Sequence, residues 1–144
     1  MANAIYPLYK NALMTAGANT SLDQDNSTDG PFVALLDTGT YSYSAAHDFF
    51  NDLSGIVGTD QRITAPTVGS VANGVFDGAN VTYTAVSGNS VEALGIYRKN
   101  AGANTTWRLV VFIDTGVTGL PVTPNGGDIS ITWNASGIFR LGNA

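Results

Sequence analysis

The sequence predicts a mainly β fold: a single antiparallel β-sandwich or barrel-like domain with an N-terminal helix and one short internal helix. Three observations lead there. Short apolar runs, several of them alternating with polar residues, recur from Ile56 onward; Gly, Asn, Asp and Pro separate them; and only two stretches have helical spacing. At 144 residues the chain has the length of one domain, enough to bury roughly 70% of the surface it exposes when unfolded.

The elements follow in order. Ile5, Leu8, Tyr9, Ala12, Leu13 and Ala16 recur at three-four spacing, with Pro7 near the first turn and Gly17 just past the end, so residues 1–17 read as an amphipathic helix or arm. Residues 18–144 then form the β domain. Its polar opening loop ends at Pro31, where the apolar run Phe32 to Leu36 marks the first strand. Ser44 is a candidate N-cap for a second helix from Ala45 to Leu53, with Ala46, Phe49, Phe50 and Leu53 on one face. Val81, Tyr83 and Ala85 alternate with threonines, and Ile129, Ile131 and Trp133 alternate with polar residues, as in strands with one buried face. The runs Ala93 to Tyr97 and Leu109 to Ile113 are apolar almost throughout and predict central strands covered on both faces.

Composition narrows the function classes. Hydrophobic residues make up 44% and charged residues 12%, about half the usual charged share, which argues for a folded chain with a weakly charged surface. The net charge is -5. The six basic residues are scattered apart from Arg98 and Lys99, a poor footprint for nucleic acid. Without cysteine there is neither a disulfide framework nor a thiolate metal site. The first ten residues lack a signal-peptide pattern and no apolar run approaches a membrane span, so synthesis in a cytoplasm is expected.

The sharpest catalytic signal is a pair of Asp-Thr-Gly stretches, at Asp37 and Asp114, each following apolar strand residues. Aspartic proteases place two such aspartates so close that they share one proton. The competing reading is a strand ending in a turn, with Asp accepting from backbone amides, and the chain is short for a two-lobed protease. Asp23, Asp25, Ser27 and Asp29 alternate like calcium ligands, but Thr28 and Ala34 stand where an EF-hand requires Gly and Glu. His47 is the only histidine and is expected on a helix surface or at a cap. Among the aromatics Tyr41, Tyr43, Tyr83, Tyr97, Trp107 and Trp133, the Tyr-Ser-Tyr-Ser segment holding Tyr41 and Tyr43 reads as exposed. No catalytic, cofactor or metal residues are assigned.

Four stretches carry a family resemblance: residues 1–10 (MANAIYPLYK), 33–37 (VALLD), 73–88 (NGVFDGANVTYTAVSG) and 119–133 (GLPVTPNGGDISITW). Over nearly the whole chain they resemble a widespread group of small tailed-bacteriophage proteins encoded among virion genes. The departures fall at Asp23 to Asp29 and at Arg98 to Trp107, where exposed loops are expected. The resemblance implies a virion structural protein, made in the host cytoplasm and present in many copies on the particle. Its commonest role would be capsid decoration, a cement binding between capsid subunits, with the major capsid protein and copies of itself, often a homotrimer, as partners. A tail, neck or baseplate component, or an adhesin-like module, are the alternatives. The expected partner contacts are Ile5, Leu8, Tyr9 and Leu13 on the helix, with Tyr41 and Tyr43 for an adhesin-like surface. Neither nucleic acid nor membrane is expected as a partner.

Overall fold

The computed structural model describes residues 3–142; Met1 and Ala2 of the expected N-terminal segment and residues 143–144 lie outside them. The described residues are mainly β with one α-helix. The strands are β1 (Ala4–Ile5), β2 (Gly30–Leu36), β3 (Ile56–Arg62), β4 (Thr67–Val68), β5 (Val75–Asp77), β6 (Val81–Tyr83), β7 (Ala93–Lys99), β8 (Arg108–Ile113), β9 (Ile129–Ile131) and β10 (Phe139–Arg140). Helix α1 (Pro7–Met14) follows β1, with Pro at its start where a missing N–H costs nothing.

A five-stranded sheet runs in the order β1-β8-β7-β2-β3; beside it are a three-stranded sheet, β10-β5-β4, and the two-stranded ribbon β6-β9. The described pairings are antiparallel and no barrel closes, since β1 and β3 end the large sheet. Strand β2 is buried at every residue, and β7 at all but Lys99. Both faces of the sheet therefore need a cover.

Register assigns the faces. Phe32, Ala34 and Leu36 lie opposite Tyr97, Gly95 and Ala93, and Phe112 lies opposite Gly95, so these side chains share one face. Residues 41–53 cover it. Tyr41 and Tyr43 pack on Phe112 with ring centroids at 5.9 and 5.7 Å, and Phe50 packs on Tyr97 at 4.6 Å. Gly95 permits the approach: a Cβ there would lie 3.1 Å from a Leu36 methyl and 3.4 Å from a Leu53 methyl. Val33, Leu35, Leu94, Ile96, Val111 and Ile113 form the other face, against which Ile138, Phe139 and Tyr83 are placed.

The β2–β3 pair holds a bulge. Val33 faces Gln61 while Leu35 faces Val57, so β3 takes four steps where β2 takes two, and Gly58 turns the excess with φ +73°. At this irregularity the Val33 carbonyl accepts a 2.7 Å bond from the buried Tyr83 hydroxyl, joining ribbon to sheet.

Several sequence expectations are corrected. The helix from Ala45 to Leu53 does not form; only a 3-10 turn, Phe50–Asp52, appears there. The physical reason is tertiary: Phe49 bridges to Arg108, and the Phe50 and Leu109 amides donate to the Trp107 and Asp48 carbonyls, so backbone groups a helix would use are spent on the β8 edge. Ile5 lies in β1, not in the helix. Ala85, expected on the buried face, takes φ 50° and is exposed; β6 ends at Tyr83, and Val86 takes the buried place. Arg98, expected in a loop, is buried in β7, its Nε donating to the Ser21 carbonyl at 2.5 Å.

Replacing Tyr83 with Phe keeps the ring and removes the hydroxyl bond to the buried Val33 carbonyl. Chemical denaturation should show a loss of about 1–3 kcal/mol with an unchanged denaturant slope.

Candidate functional site

The two Asp-Thr-Gly turns do reach the same end of the sheet. Strands β2 and β8 both pair antiparallel with β7, so Asp37 and Asp114 leave parallel strands with one strand between them. Two inter-strand steps put their backbones roughly 10 Å apart, and each turn is tied separately. The Asp37 carboxylate accepts from the Gly39 amide at 2.8 Å, the Thr40 hydroxyl at 2.9 Å and the Asn89 amide at 2.8 Å. The Asn89 bond first, then Thr40 and Gly39, hold its pKa below the ordinary carboxylate value. A carboxylate so bound favours its ionised form.

The threonines explain the matching wording of the two turns. Thr38 donates its amide and hydroxyl to Glu92, and Thr115 donates the same two groups to the Asn3 side chain. Each Asp-Thr-Gly is thus a turn whose threonine is capped from a neighbouring segment. Neither cap was singled out by motif, although Glu92 is the only glutamate and directly precedes a strand.

The acidic loop is similarly divided. Asp25 pairs with Arg62 at 3.4 Å and accepts from the Ala65 amide, Asp29 pairs with Arg98 at 3.4 Å, and Asp23 accepts from Ser21. Among the described residues no three carboxylate or histidine groups are gathered to hold a metal. His47 lies outside any helix, with Nδ1 2.9 Å from the Tyr41 hydroxyl.

The predicted contact residues separate into two groups. Tyr41 is only 2% exposed and its hydroxyl meets that of Tyr6 at 2.7 Å, while Tyr43 is half-buried against Tyr6 and Phe112. The reading of both as an exposed pair is corrected: two-sided burial of the sheet recruits them as its cover. On the helix, Tyr9 is buried with its hydroxyl donating to the Thr20 carbonyl, Leu8 is half-buried, and half-buried Leu13 opens toward an apolar groove, while Ile5 is half-buried in β1.

That groove is about 290 Å³ and is walled by Tyr9, Leu13, Leu22, Val68, Phe76 and Leu141. Two of its walls, Val68 and Leu141, are themselves exposed apolar side chains. Met14 is 78% exposed, Val68 60%, Val71 45% and Leu141 40%, and these are the large exposed hydrophobics of the described residues. They come from the end of α1, the β4–β5 hairpin and the segment after β10, the elements that bound the groove. Concentration of this kind, unlike scattered single residues, marks a contact surface.

No family model and no curated protein matches the chain. Its chemistry is therefore read from its own side chains, and one titratable group stands apart. Asp60, on the β3 bulge, accepts from the Tyr97 hydroxyl at 2.8 Å through Oδ2, while Oδ1 is buried with no hydrogen-bond partner. Burial pushes its pKa from the ordinary 3.8 up to about 6, against the opposing effects of the Tyr97 bond and the Lys99 charge.

Because the folded form holds this proton more tightly than the unfolded chain, Asp60 stabilises the fold at low pH and loses that contribution as pH rises from about 4 to about 6. In Asp60→Asn this component of the pH dependence should vanish, as measured by denaturation midpoints across that range. An unchanged profile would show that Asp60 titrates normally.

Proposed function

We propose that this chain is a non-enzymatic structural protein of a tailed-phage virion, a sandwich-like domain that coats the head and cements it by binding between capsid subunits. The carrying observation is the apolar groove with exposed Val68 and Leu141 in its walls, and with exposed Met14 and Val71 on the elements that bound it. A sequence with only 12% charged residues suits such a contact, because charge is what interface cores lack. The phage-like wording of residues 1–10 and 119–133 supplies the partner: the repeating surface of the major capsid protein, met by copies of this chain, as in a homotrimer.

The mechanism is mass action. A ligand that binds only the assembled shell stabilises it by an amount that grows with free concentration over Kd, and many identical sites multiply that gain. No group needs to react. Leu13 and Tyr9 contribute from the helix, Val68 from the hairpin and Leu141 from the C-terminal segment.

Gold-labelled antibody against the chain should decorate the heads of intact virions at high copy number; label confined to tails would replace the cement reading with a tail, neck or baseplate one. Val68→Asp alters an exposed side chain, so folding should be kept while retention on purified heads falls at least about tenfold, the effect of ~1.4 kcal/mol. Retention equal to wild type would remove the groove from the interface.

A further inference from the structure

The sequence holds two Asn-Gly pairs, Asn73-Gly74 and Asn125-Gly126. Asparagine before glycine is prone to succinimide formation, because no side chain shields the following amide nitrogen from the carboxamide. All four residues are exposed, so access to water does not separate the pairs. Their hydrogen bonds do.

At Asn125 the reacting atoms are committed. The Gly126 amide, which would attack, donates to the Val86 carbonyl at 2.8 Å, and the Val86 amide donates back to the Gly127 carbonyl at 2.9 Å. Asn125 Oδ1 accepts from the Gly127 amide at 3.0 Å, which fixes the carboxamide in a turn of its own. Reaction there requires these bonds to open first. At Asn73, in the β4–β5 hairpin, the turn is closed through neighbouring atoms: the Val75 amide donates to the Ala72 carbonyl at 3.0 Å, and Gly74 takes φ +77°. Among the described residues neither the Asn73 carboxamide nor the Gly74 N–H has a hydrogen-bond partner. The nucleophile and the carbon it would attack are both uncommitted.

We propose that Asn73 is a site of spontaneous deamidation, that Asn125 is protected from it, and that the conversion weakens docking at the groove beside α1. The Gly74 N–H loses its proton to hydroxide, the nitrogen bonds to Asn73 Cγ, and the Cγ–Nδ2 bond breaks as ammonia leaves with a proton from water. Water then opens the succinimide at either carbonyl, giving aspartate or isoaspartate; nothing is oxidised or reduced. The product carries one further negative charge, and its isoaspartyl form adds a methylene to the main chain beside Gly74. Gly74 lines the apolar groove, and its carbonyl accepts from the amide of Leu141, a wall of that groove, at 3.0 Å. The weakened docking rests on the capsid reading and follows from placing charge beside an apolar contact; the deamidation does not rest on it.

The test incubates the folded full chain in mildly alkaline buffer and maps its peptides by mass spectrometry. The mass gain of an NH2-to-OH exchange should appear at Asn73 at least about tenfold faster than at Asn125, the rate effect of ~1.4 kcal/mol on the barrier. In the urea-unfolded chain the two should convert at similar rates, which ties the difference to the fold, and Asn73→Gln should remove the gain from its peptide. Equal rates in the folded chain, faster conversion at Asn125, or no conversion at Asn73 while the unfolded chain reacts would overturn the proposal. Asn73→Asp, which reproduces the aspartyl product, should be retained on purified heads at least about threefold less than wild type. Equal retention would overturn the docking consequence, whereas a wild-type chain that does not bind heads at all would count against the capsid reading and leave the deamidation result standing.

Discussion

Two-sided burial of β2 is the constraint on which the rest of the structure depends. All seven of its residues, Gly30 to Leu36, are withdrawn from water, and a strand in that position needs apolar material above and below it. One side is met by regular structure, with the ribbon β6-β9 joined through Tyr83 and the segment through β10 placed beside Val111 and Ile113. The other side has no sheet. An irregular segment, residues 41–53, lays Tyr41, Tyr43, Phe50 and Leu53 over Phe112, Tyr97 and Gly95. Its backbone is satisfied by the edge of β8 and not by a helix of its own.

The same constraint governs the charges. Arg98 projects from β7 into buried surroundings, where its guanidinium meets the Ser21 and Lys99 carbonyls and the Asp29 carboxylate. A buried cation without such partners would cost several kcal/mol, so the loop carrying Ser21 and Asp29 is held close by electrostatics. The alternating acids that resemble a calcium loop are instead distributed between Arg62, Arg98 and backbone amides.

Much of this was legible in the residues, and the misses share a cause. Continuous apolar runs identified β2, β7 and β8 because a strand buried on both faces has no polar phase. Pro7 and Gly17 bracketed α1 within a few residues. The segment Ser44 to Leu53 had a cap and an apolar stripe, the local marks of a helix, yet its aromatics are spaced to meet a sheet whose edge supplies competing hydrogen bonds. Exposure of Tyr41 and Tyr43 was inferred from their serine neighbours, whereas the empty space above Gly95 and Phe112 decided their burial. Asp60 carried no signal at all. It lies in a short polar stretch, Gly-Thr-Asp-Gln, and only the bulge turns it toward Tyr97.

That bulge links the two halves of the molecule. Its extra β3 residues interrupt the pairing with β2 between Val33 and Leu35, where the Val33 carbonyl takes the Tyr83 hydroxyl. The same residues carry Asp60 to the Tyr97 hydroxyl and line a surface cleft with Phe32, Lys99 and Trp107. Straightening β3 would remove the Tyr83 joint and the Tyr97–Asp60 bond together. The groove beside α1 shares no lining residue with the cleft. Changes at the two surfaces should therefore combine additively, as expected for sites without common partners.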